Sequence, residues 1–488
     1  MHQSTRIAST ILIILFLISQ LPTAAQSNAD IKKSVEDLTS QLGMRHATLG
    51  VSVYNISKKK VVYEYQAQQS LVIASVNKLF TTAAGFEKLG TTFRFKTTLA
   101  YNGTIDNNGT LHGNLYIIGG GDPMLGSYRY KQTKPDSLFA NWARALSKHN
   151  IRAIDGRICY NNNIFDDEAT HTTWAWCDIG NYYGAGAYGL NFHENMYFAY
   201  FNSGLKTGFS TTIDHITPAM LNIHGFNEVT TGNEKSVEDI CAYGDPASNT
   251  RYYRGTLPLG KKDYALRVAM PKPSQVCAEM FANYLKKKHV SISNYTTESN
   301  QVPKKATTIL TYYSNTYYVI AQLTNQTSNN VYAESIFKYL GYNDYDKGSF
   351  ANGSKSIYEY FKKLGLPNHG AKVVDGSGLS RWDHASAHFV SQFLAKVYEQ
   401  NYFEDFRSTL SKVGESGTAR NILSSMRGRI NMNVKSGSMT DVKSFAGYTV
   451  NAAGDLLCFC IISNNHDYTT KEMSSKLEKV LQAIAQCQ

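Results

Sequence analysis

Three short motifs stand in one order along the 488 residues, and the chemistry they offer requires that they meet. They are Ser75-Val76-Asn77-Lys78, Ser328-Asn329-Asn330 and Lys435-Ser436-Gly437. The first two serines are 253 positions apart in the numbering, 75 against 328. A fold that uses all three must return the chain to one place twice and absorb a long interruption between the first two.

Acyl transfer at neutral pH needs a nucleophile, a base, a proton donor for the leaving amine and donors for the oxyanion. Ser75 and Lys78 are spaced i, i+3 at the start of a segment with helical apolar periodicity, Leu79, Phe80, Ala83, Ala84 and Phe86, that ends at Gly90. A lysine base needs its pKa brought from about 10.4 to near 7, roughly 4 to 5 kcal/mol against the charged form. Burial beside another cation supplies such a shift, and the apolar residues Leu71 to Ala74, Leu79 and Phe80 suit dehydration. Spacing alone is weak evidence, because Ser57 to Lys60 and Ser203 to Lys206 share it, in a charged turn and around Gly204. Lys206-Thr207-Gly208 and Ser463-Asn464-Asn465 match the other short patterns out of order. Tyr313-Ser314-Asn315 falls at a strand end, so Ser328 is preferred as the middle element.

Near the start of the chain, Arg6 precedes an apolar run from Ile7 to Leu21 and then Thr23-Ala24-Ala25, the pattern of a secretory leader spanning residues 1–25. The run is shorter than the roughly 20 residues of a membrane span. The mature chain is therefore expected to begin near Gln26, with no later span and with export across the cytoplasmic membrane, to the periplasm. A formal charge of +11 suits an anionic partner, and export favours wall polymers over nucleic acid. The runs Lys58–Lys60 and Lys286–Lys288 read as solvated turn or helix ends. Seven cysteines are too few for a disulfide framework. Cys159, Cys177, Cys241 and Cys277 remain open to pairing, and Cys458 and Cys460, flanking Phe459, read as small core residues. No spacing suggests a metal, and no cofactor is expected.

Helical periodicity from Ile31 to Leu42 precedes strands at Ala47 to Ile56 and Val61 to Gln66. From about Thr97 the texture becomes short strands, Gly and Asn turns and many tyrosines, continuing to about Gln301. A strand at Thr307 to Tyr313, helical stretches and strands around Ala453-Gly454 follow. The last stretch, Lys471 to Gln486, puts Met473, Leu477, Val480, Leu481 and Ile484 on one face, which reads as core packing.

Taken together, the motifs resemble those of the penicillin-binding serine peptidases, SxxK, SxN and K[ST]G. The similarity is greatest to the class C low-molecular-mass group, the D-alanyl-D-alanine carboxypeptidase/endopeptidases, which carry a large insert between the first two signatures. It extends to Gly120-Gly121-Asp122-Pro123, Gly255-Thr256-Leu257-Pro258, Ala333-Glu334, Asp375 to Arg381, Gly414 and Gly417-Thr418. Asp383 departs from it, standing where many relatives have Asn, and Ser436 replaces the commoner Thr.

The resemblance implies an α/β (α+β) chain with a penicillin-binding transpeptidase/β-lactamase-like core, an antiparallel sheet with helices on both sides. That core is built from residues 26–96 and 301–488, with an inserted β-rich region of one or two small domains at 97–300. It implies that Ser75 attacks, Lys78 takes its proton, and Ser328 and Lys435 relay a proton to the leaving amine. Asn330 holds the substrate amide, and the backbone N–H groups of Ser75 and Ser438 form the oxyanion hole. Ser436 and Ser438, flanking Gly437, meet the terminal carboxylate, with Lys435 as the cation that keeps Lys78 neutral. The Asp375 to Leu379 turn borders the cleft, and Asp178 in Trp174-Ala175-Trp176-Cys177-Asp178 recognises the amine of the substrate's diamino acid. The partners implied are peptidoglycan stem peptides and, as covalent inhibitors, β-lactam antibiotics. Two alternatives stand beside this reading: a β-lactamase, which needs an extra base for deacylation, and a non-catalytic wall-binding protein on the same fold.

Overall fold

The computed structural model describes residues 24–219 and 222–488. The expected apolar leader run lies outside the described residues. Along the chain, helix α1 (Ala24–Thr39) precedes strands β1 (Thr48–Asn55) and β2 (Lys60–Tyr65), and helix α2 (Lys78–Lys88) follows. The middle of the chain supplies β3 (Lys96–Tyr101), β4 (Leu115–Ile118), helix α3 (Pro135–Lys148) and β5 (Ile158–Asn161). It continues with β6 (Met196–Asn202), β7 (Tyr264–Ala269), helix α4 (Pro273–Lys287) and β8 (Thr307–Tyr313). Helices α5 (Tyr317–Thr327), α6 (Asn330–Tyr345), α7 (Phe350–Lys363) and α8 (Ala387–Tyr398) come next. Strands β9 (Asn431–Met439), β10 (Val442–Val450) and β11 (Leu456–Asn464) and helix α9 (Thr470–Gln486) close the chain.

The chain divides into two compact units. The smaller comprises the described chain up to Leu71 with Ser386–Lys396 and Ser411–Gln488. Its sheet runs β2-β1-β11-β10-β9, ending on the short strand Ser411–Lys412, and its strands pair antiparallel throughout. Side chains alternate across that sheet as the pleat requires. Val51, Val53, Phe459 and Ile461 join Ile31, Val35, Leu477 and Leu481 of α1 and α9 in one core. The opposite face meets α8, where Ser52 and Ser391 share a hydrogen bond of 2.8 Å and the Cys458 thiol donates to Ser391 O. An antiparallel sheet with helices on both sides is therefore present. Cys458 and Cys460 are buried core residues, as their alternation with Phe459 suggested, and all seven cysteines are free thiols.

The larger unit holds Val72–Ala385 and Val397–Leu410. A five-stranded sheet runs Thr297–Glu298, β5, β4, β3, β8, and β6 pairs with β7 in a separate sheet. Two helices inside the β-rich stretch, α3 and α4, were not read from the sequence. Each begins with proline at its first turn, and Phe139, Trp142, Phe281 and Leu285 bury one stripe of each in the unit's main core. Helix α2 packs on α5 and α7 through edge-to-face pairs of Phe86 with Tyr317 and Phe80 with Phe361, both at 5.0 Å. Among the described residues no helix is long and apolar enough to cross a membrane.

Candidate active site

In the larger unit, Ser75 lies in a 3-10 turn, Ala74–Asn77, that runs directly into α2. Ala74 is buried with φ at +48°, a left-handed conformation that costs an alanine about 1–2 kcal/mol. The loop from Asp375 to Ser380 holds this turn. The Asn77 amide donates to Asp375 O at 2.8 Å and the Thr81 hydroxyl to Gly376 O at 2.7 Å. Gly378 touches the Ala74 carbonyl: a Cβ there would stand 2.0 Å from Ala74 O, and its φ is +76°. We expect Gly378→Ala to slow acylation of Ser75 and to lower thermal stability together, measured by penicillin labelling and a melting curve. Thus the Asp375 to Leu379 turn does border the Ser75 turn.

Lys78 is fully buried, and its Nζ reaches Ser75 Oγ at 2.9 Å, Asn330 Oδ1 at 2.7 Å and Ser377 O at 2.7 Å. Burial lowers its amine to about 8, against the opposing pull of Glu334, Asp375 and Asp383. One part of the sequence expectation needs correction. The lysine's surroundings are polar, with three hydrogen-bond partners and the charges of three acids, and burial is the largest cause that lowers its amine. Apolar neighbours in sequence pointed into the core instead, as Leu79 and Phe80 do.

Each acid is committed to the loop. Glu334 accepts the N–H groups of Gly376 and Ser377, both at 2.8 Å, yet burial and then the charge of Asp375 hold its carboxyl above the usual range. Asp375 accepts from the N–H groups of Ser377, Gly378 and Ser380 and from the Trp174 indole at 2.8 Å. Asp383 accepts from Val374 N at 2.6 Å, and burial, then Asp375, push its carboxyl far up. A protonated carboxyl offers one acceptor and one donor, as an asparagine amide does, so this departure from the family's Asn preserves the polar pattern.

Ser328 ends α5 with φ at +55°, and Asn329 caps α6 by accepting from Tyr332 N. The structure brings Asn330 to Lys78. One N–H of its amide goes to Tyr183 O at 2.6 Å, and an amide nitrogen has a second to offer a substrate carbonyl. Sequence reasoning missed the group that fixes this motif, Glu194. Its buried carboxylate accepts from Ser127 and the Arg129 Nε at 2.6 Å, Arg129 Nη2 and Tyr332 at 2.9 Å, and Asn329 Nδ2 at 3.1 Å. His193, Glu194 and Asn195 all have positive φ, a strained turn that no glycine signals.

Asp178 lies half-buried on the short helix Trp176–Ile179, and burial raises its carboxyl against the hydrogen bond from Tyr183 and the charge of Arg381. Through Tyr183, whose carbonyl holds Asn330, this acid is three residue contacts from Lys78.

In the smaller unit, Lys435, Ser436, Gly437 and Ser438 occupy β9. Lys435 is fully buried with Nζ donating to Ser436 O at 2.7 Å. Ser436 donates to the Thr418 hydroxyl at 2.8 Å, and the exposed Ser438 accepts from Lys443 at 2.8 Å. The competing motifs lie elsewhere. Ser57 to Lys60 forms the exposed turn between β1 and β2, Ser203 is tied to Lys261 O, and Ser314 is buried, accepting from Phe95 N.

A serine hydroxyl on a dehydrated lysine at the mouth of a helix, held by an asparagine from a second helix, defines a serine acyl-transfer enzyme of the penicillin-binding class. The solved structure of penicillin binding protein 4 from Haemophilus influenzae superposes with a TM-score of 0.80 at 23% identity, covering 92% of this chain and 98% of that one. The chain belongs to the D-Ala-D-Ala carboxypeptidase 3 (S13) family, whose model matches residues 31–485. It is similar to the D-alanyl-D-alanine carboxypeptidase DacB of Haemophilus influenzae, 26% identical over 98% of this chain and 95% of that one. The D-alanyl-D-alanine carboxypeptidase of Actinomadura sp. (strain R39) is 24% identical over 90% of this chain and 81% of its own. The protein is accordingly a serine-type DD-peptidase of the penicillin-binding class, as the motif order implied.

Proposed function

We propose that Ser75 is the nucleophile and Lys78 the base in hydrolysis of D-Ala-D-Ala termini and D-Ala cross-links of peptidoglycan. The observation that supports this best is the set of acceptors around Nζ. A neutral amine has two N–H bonds and one lone pair; Asn330 Oδ1 and Ser377 O use the former, which leaves the lone pair for the Ser75 hydroxyl at 2.9 Å. Ser75 Oγ then attacks the carbonyl carbon between two D-alanines as its proton passes to Nζ. The backbone N–H groups of Ser75 and Ser438 receive the oxyanion. Ser328 and Lys435 return a proton to the departing amine, and water hydrolyses the acyl-enzyme. Ser436 and Ser438, flanking Gly437, meet the terminal carboxylate, Asn330 a substrate carbonyl, and Asp178 the amine of the diamino acid.

The same hydroxyl is acylated by β-lactams, one of which is bound in a solved structure of the Haemophilus influenzae protein. Glu334 and Asp375 are fully buried and both are engaged by loop N–H groups, which places neither where it would position a deacylating water. That favours a persistent penicillin adduct over β-lactamase turnover. The leader at residues 1–25 supports export to the periplasm, and the β-rich stretch 97–300 is the insert.

The test is release of D-alanine from a pentapeptide ending in D-Ala-D-Ala. Ser75→Ala is expected to lose at least about a thousandfold in rate. A folded variant, checked by circular dichroism, that releases D-alanine at the parent's rate overturns the assignment.

A further inference from the structure

Lys443 has no part in the chemistry above, yet its placement is costly. It stands in β10 directly opposite Ser438 of β9. Both side chains, and that of Ser436 two residues away, therefore project from one face of the sheet. The residue is 7% exposed, while the Ser438 hydroxyl that its Nζ meets at 2.8 Å belongs to an exposed residue. The Phe445 ring lies 4.9 Å away.

Among the described residues no carboxylate is paired with this ammonium. Burial is the cause that moves its amine, down to about 8, so most of its charge persists at pH 7. The titratable groups beside it are His466, lowered first by burial and then by Lys443, and Asp441, which pulls that histidine up. A buried cation without an anion is expensive, and the expense is explained if the anion arrives with a ligand.

We propose that Lys443 is the cationic anchor for the free carboxylate of the substrate, acting through and beside the Ser438 hydroxyl. This rests on the reading of Ser436 and Ser438 as the carboxylate's hydroxyl partners and adds the charge that those neutral groups lack. A charge-assisted hydrogen bond to a carboxylate is about twice as strong as a neutral one, so the anchor sets selectivity for carboxylate-bearing ligands.

The experiment compares acylation of the purified chain by benzylpenicillin and by its methyl ester, which differ in that carboxylate, and reads the ratio of the two rates by mass spectrometry. The parent is expected to prefer the free acid by about tenfold or more. Lys443→Met collapses that ratio toward one, and Lys443→Arg, which keeps the charge, retains most of it. A parent ratio near one, or a Lys443→Met ratio equal to the parent's, overturns the proposal. A parent acylated by neither compound overturns the assignment of Ser75 as well, which separates the two failures.

Discussion

Lys78→Met lowers the rate of Ser75 acylation by about a hundred- to ten-thousandfold, the usual contribution of a positioned general base. Methionine fills a similar volume but removes the lone pair that receives the Ser75 proton and the two donors that satisfy Asn330 Oδ1 and Ser377 O. Loss of buried partners by itself produces only a structural defect, so the pH profile separates the two causes. The base works when neutral. Because burial brings Lys78 to about 8, the parent's acylation rate rises about tenfold per pH unit from the acid side and levels above about pH 8. The variant's residual rate lacks that rise. A parent profile that is flat between pH 6 and 9 contradicts a titrating Lys78 as base.

Glu194→Ala destabilises the larger unit by about 3–5 kcal/mol, the cost of breaking a buried ion pair on one side. The carboxylate satisfies Arg129 at two nitrogens, two hydroxyls and the Asn329 amide, and its side chain is 1% exposed. Removing it leaves a mostly buried guanidinium without its partner and frees the strained turn His193 to Asn195. Asn329 separates Ser328 from Asn330, so the same variant is expected to lose acylation rate even where it remains folded. Denaturant unfolding followed by tryptophan fluorescence measures the first effect, and penicillin labelling below the transition measures the second. A change under about 1 kcal/mol would show that Glu194 is not the anchor of this motif.

The parts of this architecture that follow local rules were legible in the sequence. The strand Thr307 to Tyr313 and the amphipathic last helix follow from periodicity, and motif order picked out two elements whose Lys78 and Asn330 meet. Resemblance, more than pattern, identified Asp375 to Leu379 as a neighbour of Ser75; taken alone, those residues are an ordinary turn.

Long-range polar contacts were not legible. Glu194 lies in a turn of three left-handed residues without a glycine, and its partners are 65 to 138 positions distant. The acids around Lys78 come from α6 and the 375–383 loop, so the apolar sequence around the lysine gave the wrong picture of its surroundings. Helices α3 and α4 were masked by the Gly, Asn and Tyr of their flanks, although Pro135 and Pro273 marked their first turns. Lys443 sits in a buried strand whose register with β9, unknown from sequence, is what gives it meaning.

Peptide mapping after incubation with benzylpenicillin locates the reacting hydroxyl. The mass added by one penicilloyl group is expected on the peptide that contains Ser75, to persist after excess drug is removed, and to be lost in Ser75→Ala. An adduct on a peptide lacking Ser75, or a chain that takes up no penicilloyl group at all, would contradict activation of Ser75 by Lys78.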